Sequence, residues 1–174
     1  MDKEDKYHHA SHSKYLLKYH FVFACKYRKK LLGKQNIADE IKSLFTDIAY
    51  KSGFAIDVME VDIDHIHVLV DAPPTLSPTS IATRLKSQST FHIWKKFGNF
   101  LAYHFWKEKT FWSDGYFVCT TGDASTETIK KYIEEDRTGL VIFGVTGVEH
   151  NAALMSLDDL VFWLGLGILL ANKF

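Results

Sequence analysis

The sequence predicts an α+β domain of the ferredoxin-like, split βαβ kind. It would hold an antiparallel sheet with helices on one face and one further helix appended at the C-terminal end. Three observations lead there. Four apolar runs of strand length are punctuated by Gly, Pro and Asp. Two longer segments between them carry apolar residues at helical spacing. Their order along the chain is strand, helix, strand, strand, helix, strand. At 174 residues the chain can bury a sizeable core, and its 47% apolar and 14% aromatic content argues against a disordered chain.

Residues 1–13, MDKEDKYHHASHS, are polar and aperiodic and read as a flexible arm. His8, His9 and His12 within it read as solvated histidines rather than metal ligands. YLLKYHFVFACKY alternates as a first strand, and RKKLLGKQ leads out of it. NIADEIKSLFTDIAYKSG places Ile37, Ile41, Leu44, Phe45 and Ile48 on one helical stripe, with Gly53 as its terminator. AIDVMEVD and HIHVLVDA read as an antiparallel hairpin joined by a tight polar turn from Asp62 to Asp64.

PPTLSP is a loop that ends in a helix start, with Ser77 as N-cap and Pro78 at the first helical position. TSIATRLKSQSTFHIWKKF follows with Ile81, Leu85 and Ile93 on one stripe, and Arg84 and Lys86 off it. An aromatic-rich stretch leads into GYFVCTTG, a fourth strand ending at Gly122. ASTETIKKYIEED is the appended helix. Ile129 and Ile133 form its packing stripe, Tyr132 lies beside them, and Asp136 falls one turn beyond Tyr132.

The formal net charge is zero, yet the charge is unevenly placed. Lys14 to Lys34 holds seven basic residues and no acidic one, whereas Glu134 to the end holds six acidic and two basic. Residues 1–133 therefore carry +4, the footprint that polyanion binding requires. Cys25 and Cys119 have no metal-type spacing, and no secretory signal precedes them. They read as reduced thiols of a cytoplasmic protein, with a disulfide left open.

The stretch DHIHVLV poses the functional question. Side chains two apart on a strand share a face, so His65 and His67 stand side by side while Ile66, Val68 and Val70 point the other way. Two imidazoles on one face can satisfy a polar surface, bind a metal or handle protons. A tyrosine beside a carboxylate on the appended helix adds a candidate nucleophile. Two neutral imidazoles and one carboxylate would hold a divalent ion and leave positions for substrate oxygens. A phenol is a poor nucleophile at neutral pH, with a pKa near ~10, and a nearby cation favours its phenolate. Together these groups suit metal-assisted phosphoryl transfer.

His65-Ile66-His67 is a His-hydrophobic-His motif, and KYHFVFACKYRKKLL, FWSDGYFVCTTG and IKKYIEE lie around it in a characteristic order. Together, from about Lys18 to about Asp136, they resemble the single-tyrosine HUH transposases of the smallest bacterial and archaeal insertion sequences, including the relatives associated with repetitive hairpins. The resemblance implies a homodimer that cleaves and rejoins single-stranded DNA beside a hairpin. A 5′-phosphotyrosine intermediate, a free 3′-hydroxyl and no ATP go with it. It implies Tyr132 as nucleophile and His65 and His67 as ligands of Mg²⁺ or Mn²⁺, with the tyrosine helix of one subunit completing the partner's histidine pair. The family's third ligand is a glutamine four residues after the tyrosine; here Asp136 stands in that place, with Glu135 as a fallback.

For DNA contact, Lys26, Arg28, Lys29 and Lys30 form the densest basic cluster, and Arg84 and Lys86 begin the second helix. Tyr27, Trp106, Phe111 and Trp112 are candidates to stack unpaired bases, although core packing is the commoner use of such residues. A hairpin-binding protein without chemistry is the other function class these features allow. On this reading the domain spans 14–136.

Residues 137–174 depart from the family pattern, being acidic and then apolar. Leu160 to Ala171 is an uncharged run of 12 residues, short of the roughly 18–20 that span a bilayer. The tail would pack on the domain, extend a dimer interface, touch a membrane surface, or be readthrough in a shifted frame. The change of character near Glu135 favours the last.

Overall fold

The computed structural model describes residues 7–34, 36–106 and 108–121. β1 (His8–Ala10) and β2 (Ser13–Tyr15) pair antiparallel as a small hairpin, where the sequence suggests a loose arm. His8 Nε2 lies 2.8 Å from Asp71 Oδ2, which ties the hairpin to the main sheet. Neither strand has a buried apolar face, so no alternation in the sequence announces the pairing.

The main body begins with β3 (Lys18–Ala24), followed by a single 3-10 turn at Lys26–Arg28 and helix α1 (Ile37–Ser52). β4 (Ala55–Val61), β5 (His65–Asp71), α2 (Pro78–Phe105) and β6 (Phe117–Thr120) complete it. The four strands from β3 onward form one sheet in the order β4-β5-β3-β6, with every pairing antiparallel. β3 and β4 thus run the same way with β5 between them. This is the split βαβ arrangement, and the fold is the expected ferredoxin-like α+β.

One face of the sheet carries the core. Phe21 and Phe23 of β3 and Ile66, Val68 and Val70 of β5 pack in one cluster with Ile37, Ile41, Phe45 and Ile48 of α1. Ile81, Leu85 and Ile93 of α2 close the same cluster. The helix ends follow from local chemistry. Gly53 adopts φ 77°, and its N–H reaches the carbonyls of Ala49 and Tyr50, capping α1. Ser77 Oγ accepts from the Ser80 N–H at 3.2 Å, with Pro78 in the first turn of α2.

Sequence periodicity ends α2 at Phe97, but the helix continues through a kink there (φ −118°, ψ 26°) to Phe105. Leu101 and Phe105, both buried, anchor the continuation. The segment returning to β6 is pinned against α2. Trp94 Nε1 donates to the Thr110 carbonyl at 2.9 Å, and Trp112 Nε1 donates to Ser89 Oγ at 2.9 Å. Ser89 donates its own proton to the Leu85 carbonyl, so a buried hydroxyl within the helix is fully used.

Both cysteines are free. Burial is the main cause that pushes the Cys25 thiol up to about 12, which disfavours its thiolate form. Among the described residues no helix is long and apolar enough to cross a membrane. The appended helix over 124–136 with Tyr132, Glu135 and Asp136, the end of the last strand at Gly122, the tail over 137–174 and residues 1–6 lie outside the described residues.

Phe23 shows how tightly the core is built, since its ring meets Phe21, Phe45, Trp112 and Tyr116. Phe23→Ala is expected to lower the unfolding free energy by about 3–5 kcal/mol, as read from urea denaturation followed by tryptophan fluorescence.

Candidate metal centre

β5 has β4 on one side and β3 on the other, so alternation along it is unambiguous. Ile66, Val68 and Val70 fill the core beneath the helices, and His65 and His67 stand on the opposite face. Their ring centroids are 5.0 Å apart. That face is not bare solvent, for His67 is only 3% exposed. Across the ladders His67 pairs with Val22 of β3 and Glu60 of β4, and Leu69 packs against Val58 on the same side.

In each histidine Nδ1 is engaged by a neighbour. His65 Nδ1 is 2.8 Å from Asp64 Oδ1. A carboxylate only accepts, so Nδ1 donates and the neutral ring keeps its lone pair on Nε2. Asp64 is held in turn by Arg28, whose Nε donates to Oδ2 at 3.0 Å. His67 Nδ1 lies 3.0 Å from Nε2 of His20, and the two rings stack at 16°. Burial is the leading cause that lowers His20 to about 4 and His67 to about 3. Two neutral rings share one hydrogen, and when His67 supplies it from Nδ1, its Nε2 also presents a lone pair.

With His67 as the donor to His20, the donor set fits a divalent ion: two imidazole Nε2 atoms, each backed through Nδ1 by a hydrogen-bond partner. Among the described residues no cluster of three or more His, Cys, Asp or Glu is placed to hold a metal. The expected third ligand at Asp136, its fallback Glu135 and the nucleophile Tyr132 lie outside those residues. Sequence reasoning misses His20 and Asp64. Asp64 is adjacent to the motif, but its place in a tight polar turn masks the role. His20 is separated from His67 by 47 positions, and only the strand register joins them.

The basic residues divide. Lys30 and Arg84 are exposed. Lys29 stands 5.5 Å from the Phe105 ring centroid. Lys26 pairs with Asp114 at 2.6 Å, and that hydrogen bond holds its ammonium above the usual lysine range. Lys86 donates to the carbonyls of Asp114 and Gly115 at 2.6 and 3.3 Å, and burial pushes its pKa down. Arg28 is turned toward Asp64. Of the four aromatics, Phe111 and Trp112 belong to the core, whereas Tyr27 and Trp106 are exposed.

The residue pattern of the family described as "Transposase IS200 like" matches residues 13–136. The chain belongs to the IS200-like transposase family. It is 32% identical over 133 residues to the transposase of insertion sequence element IS200 from Salmonella typhimurium, covering 74% of this chain and 85% of that one. It is 33% identical over 124 residues to the ISDra2 transposase TnpA of Deinococcus radiodurans, covering 69% and 84%. A solved structure of a candidate transposase from Deinococcus radiodurans R1 superposes with a TM-score of 0.61 at 28% identity, over 74% of this chain and 96% of that one. As an IS200-like transposase the protein is an enzyme of DNA transposition, and His65, His67, Tyr132 and Asp136 all fall inside the matched span.

The buried histidine pair gives this transposase a predictable acid sensitivity. Both folded-state pKa values lie below the ordinary 6.5, so the unfolded chain binds more protons as pH falls beneath 6.5. Stability is expected to be undiminished by this pair above pH 6.5 and to decline as pH falls toward about 4 and then about 3. Thermal melts across that range check it, and His20→Phe should flatten the decline.

Proposed function

We propose that the protein cleaves and rejoins single-stranded DNA next to hairpins by single-tyrosine HUH chemistry. The observation that supports it most is the placement of His65 and His67 side by side on the face of β5 opposite the helices, each with Nδ1 occupied by a partner. In this reading His65 Nε2, His67 Nε2 and a carboxylate from Asp136, or else Glu135, hold Mg²⁺ or Mn²⁺. When bound, the ion would polarise the scissile phosphodiester and offset the charge that develops on its oxygens.

The Tyr132 oxygen attacks phosphorus, a 5′-phosphotyrosine bond forms, and the bond to the 3′ oxygen breaks. The phenol proton is balanced by the proton on the departing 3′-hydroxyl. Phosphodiester energy is kept in the phosphotyrosine, so rejoining reverses the step without ATP. The protein works as a homodimer with the tyrosine helix of one subunit meeting the histidines of the other. Lys29, Lys30 and Arg84 supply phosphate contacts, and Tyr27 and Trp106 offer exposed rings to unpaired bases.

A denaturing gel tests the chemistry. Full-length protein, Mn²⁺ and labelled single-stranded hairpin DNA from the flanks of its own gene should give a labelled protein adduct. Tyr132→Phe and His65→Ala should give none, and Asp136→Gln should retain or raise the yield. DNA binding without any adduct from the parent chain would instead mark a binding protein descended from a transposase. Separately, Lys30→Ala with Arg84→Ala should weaken DNA binding. The slope of its salt dependence should flatten by roughly 0.7 for each phosphate no longer neutralised, measured by fluorescence anisotropy at several salt concentrations.

A further inference from the structure

The turn after β3 is backbone-strained in a way the sheet does not require. Tyr27 and Arg28 both take left-handed conformations, with φ of 59° and 50°. Neither is glycine, and a non-glycine residue keeps such a conformation only where the surrounding structure holds it there. The surroundings do. Lys26 reaches Asp114, the Tyr27 hydroxyl donates to the Glu108 carboxylate, and the Leu32 N–H donates to the Ile63 carbonyl at 3.0 Å. With those anchors set, the Arg28 side chain is delivered to Asp64 rather than outward.

Asp64 is fixed from both ends. Its backbone carbonyl accepts from the Cys25 N–H at 2.8 Å, so the residue is stitched to the end of β3. Oδ2 takes Arg28 Nε at 3.0 Å and Oδ1 takes His65 Nδ1 at 2.8 Å. One carboxylate oxygen for each donor leaves no freedom to rotate away from the imidazole. Asp62, the other carboxylate nearby, reaches His65 Nδ1 only at 4.0 Å.

We infer that Arg28 is a positioning residue that acts through Asp64 on His65, holding the imidazole with its proton on Nδ1 and its Nε2 lone pair ready for a divalent ion. The role rests on the ion site proposed above, and it moves Arg28 out of the group of residues that touch DNA phosphates. Partners of this kind set both the tautomer and the ring direction of a ligating histidine, and removing one typically weakens metal affinity 10–100-fold.

The test uses the full chain and two readouts. Long-range proton–nitrogen correlation spectra of the metal-free protein at pH 8 report the His65 tautomer, and electron paramagnetic resonance titration reports Mn²⁺ affinity. The parent should show Nδ1–H. Asp64→Ala should shift His65 toward Nε2–H, and Arg28→Ala should give a mixture. Both should bind Mn²⁺ at least tenfold more weakly, with Arg28→Lys between them and the parent. Melting curves establish that each variant is folded, and Arg28→Lys carries the test should Arg28→Ala fail to fold.

An Nε2–H tautomer in the parent overturns the inference. So does unchanged Mn²⁺ affinity in Arg28→Ala, above all if its single-stranded DNA affinity falls with a shallower salt slope, as removal of a phosphate-binding cation predicts. A parent that shows the Nδ1–H tautomer, absent in Asp64→Ala, but binds no Mn²⁺ overturns the metal role of Arg28 together with the ion site. Mn²⁺ binding in the parent that the variants share overturns the positioning role alone.

Discussion

The pairing of β3 with β5 is the constraint on which the rest of the structure depends. It runs antiparallel from Lys18 opposite Asp71 to Ala24 opposite His65 without a break in register. Because side chains alternate, that register decides at once what lies beneath the helices and what lies on the opposite face. Phe21 and Phe23 come to rest with Ile66, Val68 and Val70 in the core. His20, two residues from the rung shared by Val22 and His67, meets His67 diagonally at 3.0 Å. A slip of one residue would bury the histidines under α1 and α2 and turn the valines outward, so the core enforces the geometry of the site.

The site therefore draws its rigidity from the fold as well as from its own hydrogen bonds. Buried imidazoles are costly when charged and tolerable when neutral and hydrogen-bonded. The structure meets that condition by pairing His67 with His20, and it treats His65 differently by giving it a carboxylate. The two candidate ligands thus have unlike supports, one neutral and one anionic, on a single strand. Beside them, the strained turn at Tyr27–Arg28 concentrates its departures from ordinary backbone where Asp64 is held.

The distribution of basic residues shows how composition and structure divide the labour. Seven basic residues between Lys14 and Lys34 look like one patch in the sequence. In the fold, Lys18 pairs with Asp57, Lys26 with Asp114 and Arg28 with Asp64, while Lys30 remains on the surface. Lys86, in the third turn of α2, serves loop carbonyls instead of solvent. A charge run marks where positive residues begin, and the acidic residues that meet them come from distant parts of the chain.

The sequence by itself determined the order of strands and helices from β3 to β6, the helix boundaries at Ser77 and Gly53, and the shared face of His65 and His67. Each of these is a local rule of backbone geometry: an N-cap, a left-handed glycine, a period of two. It did not reveal the hairpin at His8–Tyr15, because strands wet on both faces leave no pattern. It stopped α2 at Phe97, because the buried stripe resumes beyond a kink that periodicity cannot cross. The partners of the histidines, His20 across 47 positions and Arg28 through Asp64, were decided by tertiary structure alone. Strand register and a strained turn bring such groups together, and neither is written in the spacing of the residues that meet.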